Sequence, residues 1–164
     1  MNIIKAIQTA QNKQKERKYK YLYWCIDVHG VILTPTYELN NSGATYYPYC
    51  LKTLKILSDL PDQKIILWSS SYMQQLNIVR RNLEDEDIDI DFLNSNPDYA
   101  MTEICDFSQK FYFDILLDDK AGFEAGSDWE EIYNYLSKGK KKGKSRKKES
   151  QKESQFNFFL DFPY

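Results

Sequence analysis

Oxygen-bearing side chains follow three apolar segments of the chain, and their types could support phosphoryl chemistry. Asp27 ends the apolar run YLYWCID, and His29, the single histidine of the sequence, comes two residues later. The serines Ser69–Ser71 follow the run KIILW, and the pair Asp118 and Asp119 follows FDILL. Carboxylate oxygens are ligands that Mg²⁺ prefers, and a carboxylate can also attack phosphorus. Hydroxyl groups and cations can bind the phosphoryl oxygens.

The elements that must position these residues alternate between strands and helices. Apolar, aromatic and β-branched runs predict four strands, over residues 20–28, 64–68, 88–94 and 110–119. Helical spacing predicts an amphipathic N-terminal helix and further helices, over residues 49–60, 72–86 and 128–136, with a short helical piece near 98–106. Ser71 is the predicted N-cap of the helix over 72–86.

This alternation indicates an α/β fold with a parallel sheet and right-handed crossovers. Ligands of such sheets bind outside the carboxyl ends of the strands. We therefore expect Asp27 and His29, the three serines and the aspartate pair to meet at that edge.

Composition narrows the class of protein. The chain of 164 residues fits one domain, and its 42% hydrophobic and 15% aromatic content allows a substantial core. Its three cysteines show no C-x-x-C spacing, which disfavours a disulfide framework and a zinc site and favours a reducing, cytoplasmic location. No apolar run approaches the roughly 18 residues of a membrane span, and the N-terminus lacks the features of a signal peptide.

Three sequence motifs, taken in order, resemble those of the haloacid dehalogenase-like (HAD) superfamily, most of whose members are Mg²⁺-dependent phosphatases. CIDVHGVIL resembles the first family motif, IILWSSS the second and DILLDD the fourth, over roughly residues 20–135. The resemblance is to small capless phosphatase- and nucleotidase-like members, phage and bacterial ones among them. It implies a three-layer, Rossmann-like parallel sheet flanked by helices. Residues 31–63 and 72–109 are too short to house a cap domain, so an open site is expected.

The resemblance also implies roles for the acidic residues. Asp27 would be the nucleophile and a Mg²⁺ ligand, the His29 carbonyl a further ligand, and Asp118 and Asp119 would complete the metal site. A pair of acids after a strand can also be simply the start of a loop, and the pair alone is uninformative.

The resemblance implies phosphate binding by residues of the second motif and by a Lys or Arg, which the family's third motif supplies. Ser69 and Ser70 would bind the substrate phosphate, although a serine run can also be only a strand-to-helix turn. Lys110, just before the last strand, is the expected phosphate-binding lysine, and Lys120 is the alternative.

His29 departs from the family pattern, because the second aspartate of the first motif is the usual general acid and base. Imidazole titrates near neutrality and could take that role, although a neighbouring metal cation would disfavour its protonated form. Two hypotheses remain open. The chain could be a Mg²⁺-dependent phosphohydrolase that acts through an aspartyl-phosphate on a nucleotide or nucleic-acid-end phosphate. Alternatively, it could be a catalytically impaired pseudo-phosphatase that serves as a binding module, with His29 bonded to the flap loop.

The C-terminal part differs from the body in charge. Residues 137–164 hold nine of the 22 Lys and Arg and three of the 24 Asp and Glu, which leaves 13 basic and 21 acidic residues, a net charge of −8, in the predicted catalytic domain 1–136. Residues 137–155 are predicted to be a disordered basic linker, able to contact nucleic acid or the acidic body.

Residues 156–164 form an aromatic peptide, and QFNFF is similar to peptides that bind bacterial sliding clamps. Docking on such a protein partner and packing on the chain's own domain are both open.

Overall fold

A computed structural model describes residues 2–36, 43–99 and 101–138 of the chain. The strands, numbered along the chain, are β1 (Leu22–Asp27), β2 (Gln63–Trp68), β3 (Phe92–Leu93) and β4 (Ile115–Leu117). The helices are α1 (Ile3–Arg17), α2 (Cys50–Ser58), α3 (Met73–Glu84) and α4 (residues 128–138), with a 3-10 helix at Asp119–Ala121. Within this part of the chain, each helix is too short or too polar to cross a membrane.

The four strands form one parallel sheet in the order β3-β2-β1-β4. This arrangement confirms the α/β class with a parallel sheet that the alternating pattern predicted, and the Rossmann-like architecture that the motif resemblance implied. β1 is central, with Asp27 paired to Trp68 of β2 and Ile26 paired to Leu117 of β4. The segments that follow β2, β1 and β4 therefore leave the sheet side by side.

One face of the sheet carries the main hydrophobic core, because alternate strand residues point to the same side. Trp24 and its paired neighbours Ile65 and Ile115 lie on this face. Buried side chains of all four helices belong to the same core: Ile3, Ile7, Ala10, Leu54, Leu57, Leu76, Val79, Leu83, Trp129, Ile132 and Leu136. Trp129 also donates its indole N–H to the carbonyl of Val31 at 2.8 Å, which fixes α4 against the loop after β1.

On the opposite face, residues of the connection between β3 and β4 pack against β1. Tyr23 of β1 donates its hydroxyl to Asp98 at 2.9 Å, and Tyr99 stacks on Tyr112 with ring centroids 4.1 Å apart. The described residues near 98–106 do not form the predicted helical piece. Thr102 and Cys105 bond locally instead: the Thr102 hydroxyl oxygen accepts the Cys105 backbone N–H at 3.0 Å, and the Thr102 backbone N–H donates to the Cys105 carbonyl at 2.8 Å.

β3 and β4 are much shorter than predicted, and at their starts aspartate side chains accept backbone N–H groups of the neighbouring strands. The carboxylate of Asp91 accepts the N–H of Ile65 at 2.8 Å, and that of Asp114 accepts the N–H of Tyr23 at 2.9 Å. Regular pairing begins only after these residues, at Phe92 and Ile115.

The start of α3 also differs from the prediction, because Tyr72 is the N-cap residue and its side chain makes no capping bond. Ser71 instead donates its backbone N–H to the Ser69 hydroxyl oxygen at 3.1 Å.

The connections after β1 and β2 hold α2 and α3, and no cap domain is inserted among the residues placed by the structure. Helix α4 extends through residue 138. The rest of the predicted basic linker, residues 139–155, and the aromatic peptide 156–164 lie outside the described residues.

Candidate functional site

Three carboxylates converge at the carboxyl ends of the two neighbouring strands β1 and β4. One carboxylate oxygen from each of Asp27, Asp118 and Asp119 lies within 4.8 Å of the other two. Asp27 is the last residue of β1, and Asp118 and Asp119 directly follow β4, which pairs with β1. The sheet therefore brings together two segments that are about 90 residues apart in the sequence.

A glycine allows the loop after β1 to approach this cluster closely. Gly30 has φ +90°, and a Cβ atom there would lie 2.9 Å from an Oδ2 atom of Asp119. Its backbone N–H donates to the Leu33 carbonyl at 2.7 Å, and Leu33 in turn donates to Val28 at 2.8 Å. These bonds fold residues 28–33 into a tight turn against Asp119, and only glycine fits there without strain.

The pKa of Asp27 is raised by burial and by the two neighbouring carboxylates. Burial is the main cause that raises the pKa of Asp27 to about 6, and the negative charges of Asp118 and Asp119 add to it. The Val28 backbone N–H and the charge of His29 act in the opposite direction. Asp27 is therefore ionised near neutral pH but readily stabilised by a nearby cation.

Cys25, two residues before Asp27, is a poor alternative nucleophile. Burial, together with the charges of Asp118 and Asp27, raises the pKa of its thiol to about 12. The thiol stays protonated at neutral pH, and the thiolate is the reactive form.

A lysine ammonium already contacts the cluster. Lys120 Nζ lies 2.6 Å from Asp119 Oδ2 and 2.8 Å from Oδ1, and its backbone N–H donates to Asp118 at 2.7 Å. Lys110, the lysine expected to bind phosphate, is exposed and forms no ion pair with the three carboxylates. Its neighbour Phe111 packs on Trp68, the residue paired with Asp27.

Ser69 lies at the same edge and is fixed by a residue that the sequence reasoning missed. The Asn94 side chain accepts the Ser69 N–H at 2.8 Å and donates to the Ser69 carbonyl at 2.7 Å. Ser69 is buried, whereas Ser70 is exposed. Asn94 directly follows β3, so a polar residue at the end of the third strand was the available signal.

His29 lies in the turn between Asp27 and Gly30, where its backbone bridges to Leu33. Its charge lowers the pKa of Asp27, which places the imidazole within electrostatic reach of the carboxylate.

The donor set fits a hard divalent cation. The three side chains offer only oxygen atoms, which is the chemistry that Mg²⁺ and Ca²⁺ prefer. The Lys120 ammonium contacts Asp119 and offsets part of the negative charge of the cluster, as a bound metal ion would. Asp27, Asp118 and Asp119 could therefore hold a metal ion.

No protein-family model and no curated protein sequence matches the chain. Among solved structures, a conserved protein from Bacteroides thetaiotaomicron is similar over 73% of this chain and 92% of its own, with 24% identity and a TM-score of 0.54. This similarity extends to the fold alone. A second structure, D,D-heptose 1.7-bisphosphate phosphatase from B. bronchiseptica complexed with magnesium and phosphate, covers 51% of this chain and 54% of its own at 15% identity. Its TM-score of 0.37 is too low to support an argument about this protein.

Proposed function

We propose that this protein is a Mg²⁺-dependent phosphohydrolase of the haloacid dehalogenase-like type, which cleaves phosphate monoesters through an aspartyl-phosphate. The observation that carries the proposal is the meeting of Asp27, Asp118 and Asp119 within 4.8 Å at the carboxyl ends of parallel strands. The order of the three motifs along the chain supports it as well. A cation held by these carboxylates would offset the charge of the phosphoryl oxygens.

In the first step, a carboxylate oxygen of Asp27 forms a bond to phosphorus while the bond from phosphorus to the ester oxygen breaks. The leaving oxygen keeps the electron pair and takes a proton from the His29 imidazolium. In the second step, water attacks the phosphorus and gives a proton to the neutral imidazole. The bond between phosphorus and Asp27 then breaks, which releases inorganic phosphate and restores the carboxylate.

Two further groups would orient the phosphoryl group. Ser69 directly follows Trp68, the β2 residue paired with Asp27, and Asn94 holds its backbone, so its hydroxyl can donate to a phosphoryl oxygen without first being ordered. A lysine would contribute positive charge. Lys110 is our choice because its neighbour Phe111 packs on Trp68, the residue of β2 that is paired with Asp27. Ser70, which is exposed, would add a second hydroxyl at the rim.

The test is hydrolysis of phosphate monoesters in the presence of Mg²⁺, with Asp27→Asn as the decisive variant. We expect the variant and the chelated wild type to lose activity. Asp62→Asn is the matched control, because Asp62 is an exposed aspartate before β2, at the opposite end of the strands. Activity that survives in Asp27→Asn, or that ignores a chelator, would refute the assignment.

The second candidate is a catalytically impaired pseudo-phosphatase that keeps the fold and a cation site. The observation that favours it is the imidazole of His29 where the family motif has a carboxylate. If His29 is the acid and base, His29→Ala should reduce turnover by about 10²–10⁴-fold. A wild type that binds Mg²⁺ but is inert, and that gains activity on His29→Asp, would favour the pseudo-phosphatase.

A further inference from the structure

Trp68 is an exposed tryptophan at the end of β2, directly after three buried residues. Its side chain is 40% exposed, whereas Ile66 and Leu67 before it are 0% exposed. Trp68 is also the register partner of Asp27 on the neighbouring strand. Paired residues of adjacent strands point to the same face of a sheet, so the indole and the Asp27 carboxylate leave the same face side by side.

A second aromatic ring holds the indole in place. Phe111 packs edge-on against Trp68 with ring centroids 5.2 Å apart and an interplanar angle of 63°, and Phe113 lies 6.0 Å beyond it. Edge-to-face contact engages the edge of one ring and the face of the other. With this contact in place, Trp68 remains 40% exposed to solvent. We call Trp68 and Phe111 the aromatic shelf.

Phe111 of the aromatic shelf also lines a groove of about 410 Å³, which is formed by the segment before β4 and does not include Trp68. Its lining combines aromatic rings with one cation and one carboxylate: Phe107, Phe111, Tyr112, Phe113, Lys110 and Asp106. A planar ring system bearing a nearby phosphate matches this combination of π surface and lysine. A purely aliphatic or sugar phosphate would leave the indole exposed to water.

We propose that the aromatic shelf is a base-stacking subsite, and that the phosphate ester cleaved at Asp27 belongs to a nucleotide whose base lies on Trp68. This inference rests on the proposed function. Adjacent strands are about 4.8 Å apart, a separation comparable to the single sugar that joins a base to its phosphate. Base stacking on aromatic side chains tolerates any base, so selectivity for the presence of a base, not for its identity, is expected.

The kinetic test compares AMP with ribose 5-phosphate, which carries the same 5′-phosphate without a base. The wild type should prefer AMP in kcat/KM, and Trp68→Ala should lower that preference by about 5- to 150-fold. Trp68→Phe should restore most of it. Tyr19→Ala is the matched control, since Tyr19 is 38% exposed and precedes β1 at the opposite end of the sheet.

A binding test does not depend on turnover. Trp24 and Trp129 are 0% exposed, so quenching of tryptophan fluorescence by a stacked base reports on Trp68. We expect AMP, but not ribose 5-phosphate, to quench the Asp27→Asn protein in the presence of Mg²⁺. Quenching should persist in Tyr19→Ala and disappear in Trp68→Phe, which keeps a ring but lacks the reporter.

The outcomes separate the two proposals. Equal kcat/KM for the two substrates, or equal losses for both in Trp68→Ala, would overturn the base subsite and leave an Asp27-dependent phosphatase standing. Specific quenching of Asp27→Asn by AMP, together with a wild type that hydrolyses neither AMP nor ribose 5-phosphate, would support the base subsite and overturn the proposed phosphohydrolase. A 5′-phosphorylated single-stranded oligonucleotide, run beside AMP, identifies the source of the base by the higher kcat/KM.

Discussion

Replacing Asn94 by glycine should destabilise the protein and misplace Ser69. The Asn94 side chain forms two hydrogen bonds with the backbone of Ser69, at 2.8 Å and 2.7 Å, across the gap between β3 and β2. Glycine is the right replacement because Asn94 has φ +48°, a conformation that alanine would adopt only with strain. The variant therefore removes the side-chain contacts and leaves the backbone shape permitted.

The expected loss follows from the two bonds. Each hydrogen bond is worth about 1 kcal/mol, and a buried group left without its partner costs about 1–3 kcal/mol. Ser69 is only 8% exposed, so water replaces the lost partners poorly. We expect the free energy of unfolding to fall by about 2–4 kcal/mol and the melting temperature by roughly 5–15 °C. If Ser69 binds phosphate, kcat/KM should fall by about 10- to 100-fold.

The assay is thermal unfolding followed by circular dichroism, with steady-state kinetics on the same preparations. Asp87→Gly is the matched control, because Asp87 has φ +59° and is exposed. The Lys55 ammonium contacts its backbone carbonyl at 2.7 Å, a contact that glycine would keep. A melting temperature in Asn94→Gly within about 1 °C of that in Asp87→Gly would refute the role of Asn94.

Three further predictions concern the carboxylate cluster. Gly30→Ala should reduce the rise in melting temperature on adding Mg²⁺, because the new Cβ would lie 2.9 Å from Asp119; an unchanged rise would contradict this. In chelator, Asp27→Asn should have a higher melting temperature than the wild type above pH 6, but not below pH 4. The pKa of Asp27 is about 6 in the folded protein and 3.8 ordinarily, so ionised Asp27 increasingly destabilises the fold as the pH rises between these two values. Melting curves from pH 3.5 to 7.5 measure the difference, and a constant gap would exclude the raised pKa. Lys120→Met should tighten Mg²⁺ binding, because it removes the ammonium that contacts Asp119, whereas Lys110→Met should reduce kcat/KM by about 10- to 100-fold. Kinetics at varied Mg²⁺ measure both effects. A loss of kcat/KM in Lys120→Met, with Lys110→Met unchanged, would make Lys120 the phosphate-binding lysine.

The sequence was sufficient for the order of elements and for the edge at which polar residues gather. β1, β2 and the helices after them could be located because a buried parallel strand must be apolar along its length, and a helix must repeat its apolar residues every three to four positions. An ionisable side chain such as Asp27 is too costly to bury within the sheet. The end of the strand is the place where the chain can keep it hydrated.

The lengths of β3 and β4 were not predictable from the same signals. Apolar and aromatic residues extend beyond both strands, but whether they pair depends on the partner across the sheet. Asp91 and Asp114 take the backbone N–H groups of Ile65 and Tyr23, which belong to strands far away in the sequence. Local propensity contains no information about such competition.

The sequence by itself determined an α/β chain with carboxylates, a histidine and serines at the ends of apolar strands. Only the tertiary structure decided which of these residues meet, because pairing between β1 and β4 brings Asp27 to Asp118 and Asp119 across about 90 residues. The register of β1 on β2 placed Trp68 beside Asp27, and the turn after β3 delivered Asn94 to Ser69. Strand register is set by packing across the whole sheet, so residues whose roles come from their neighbours on other strands become visible only in the folded molecule.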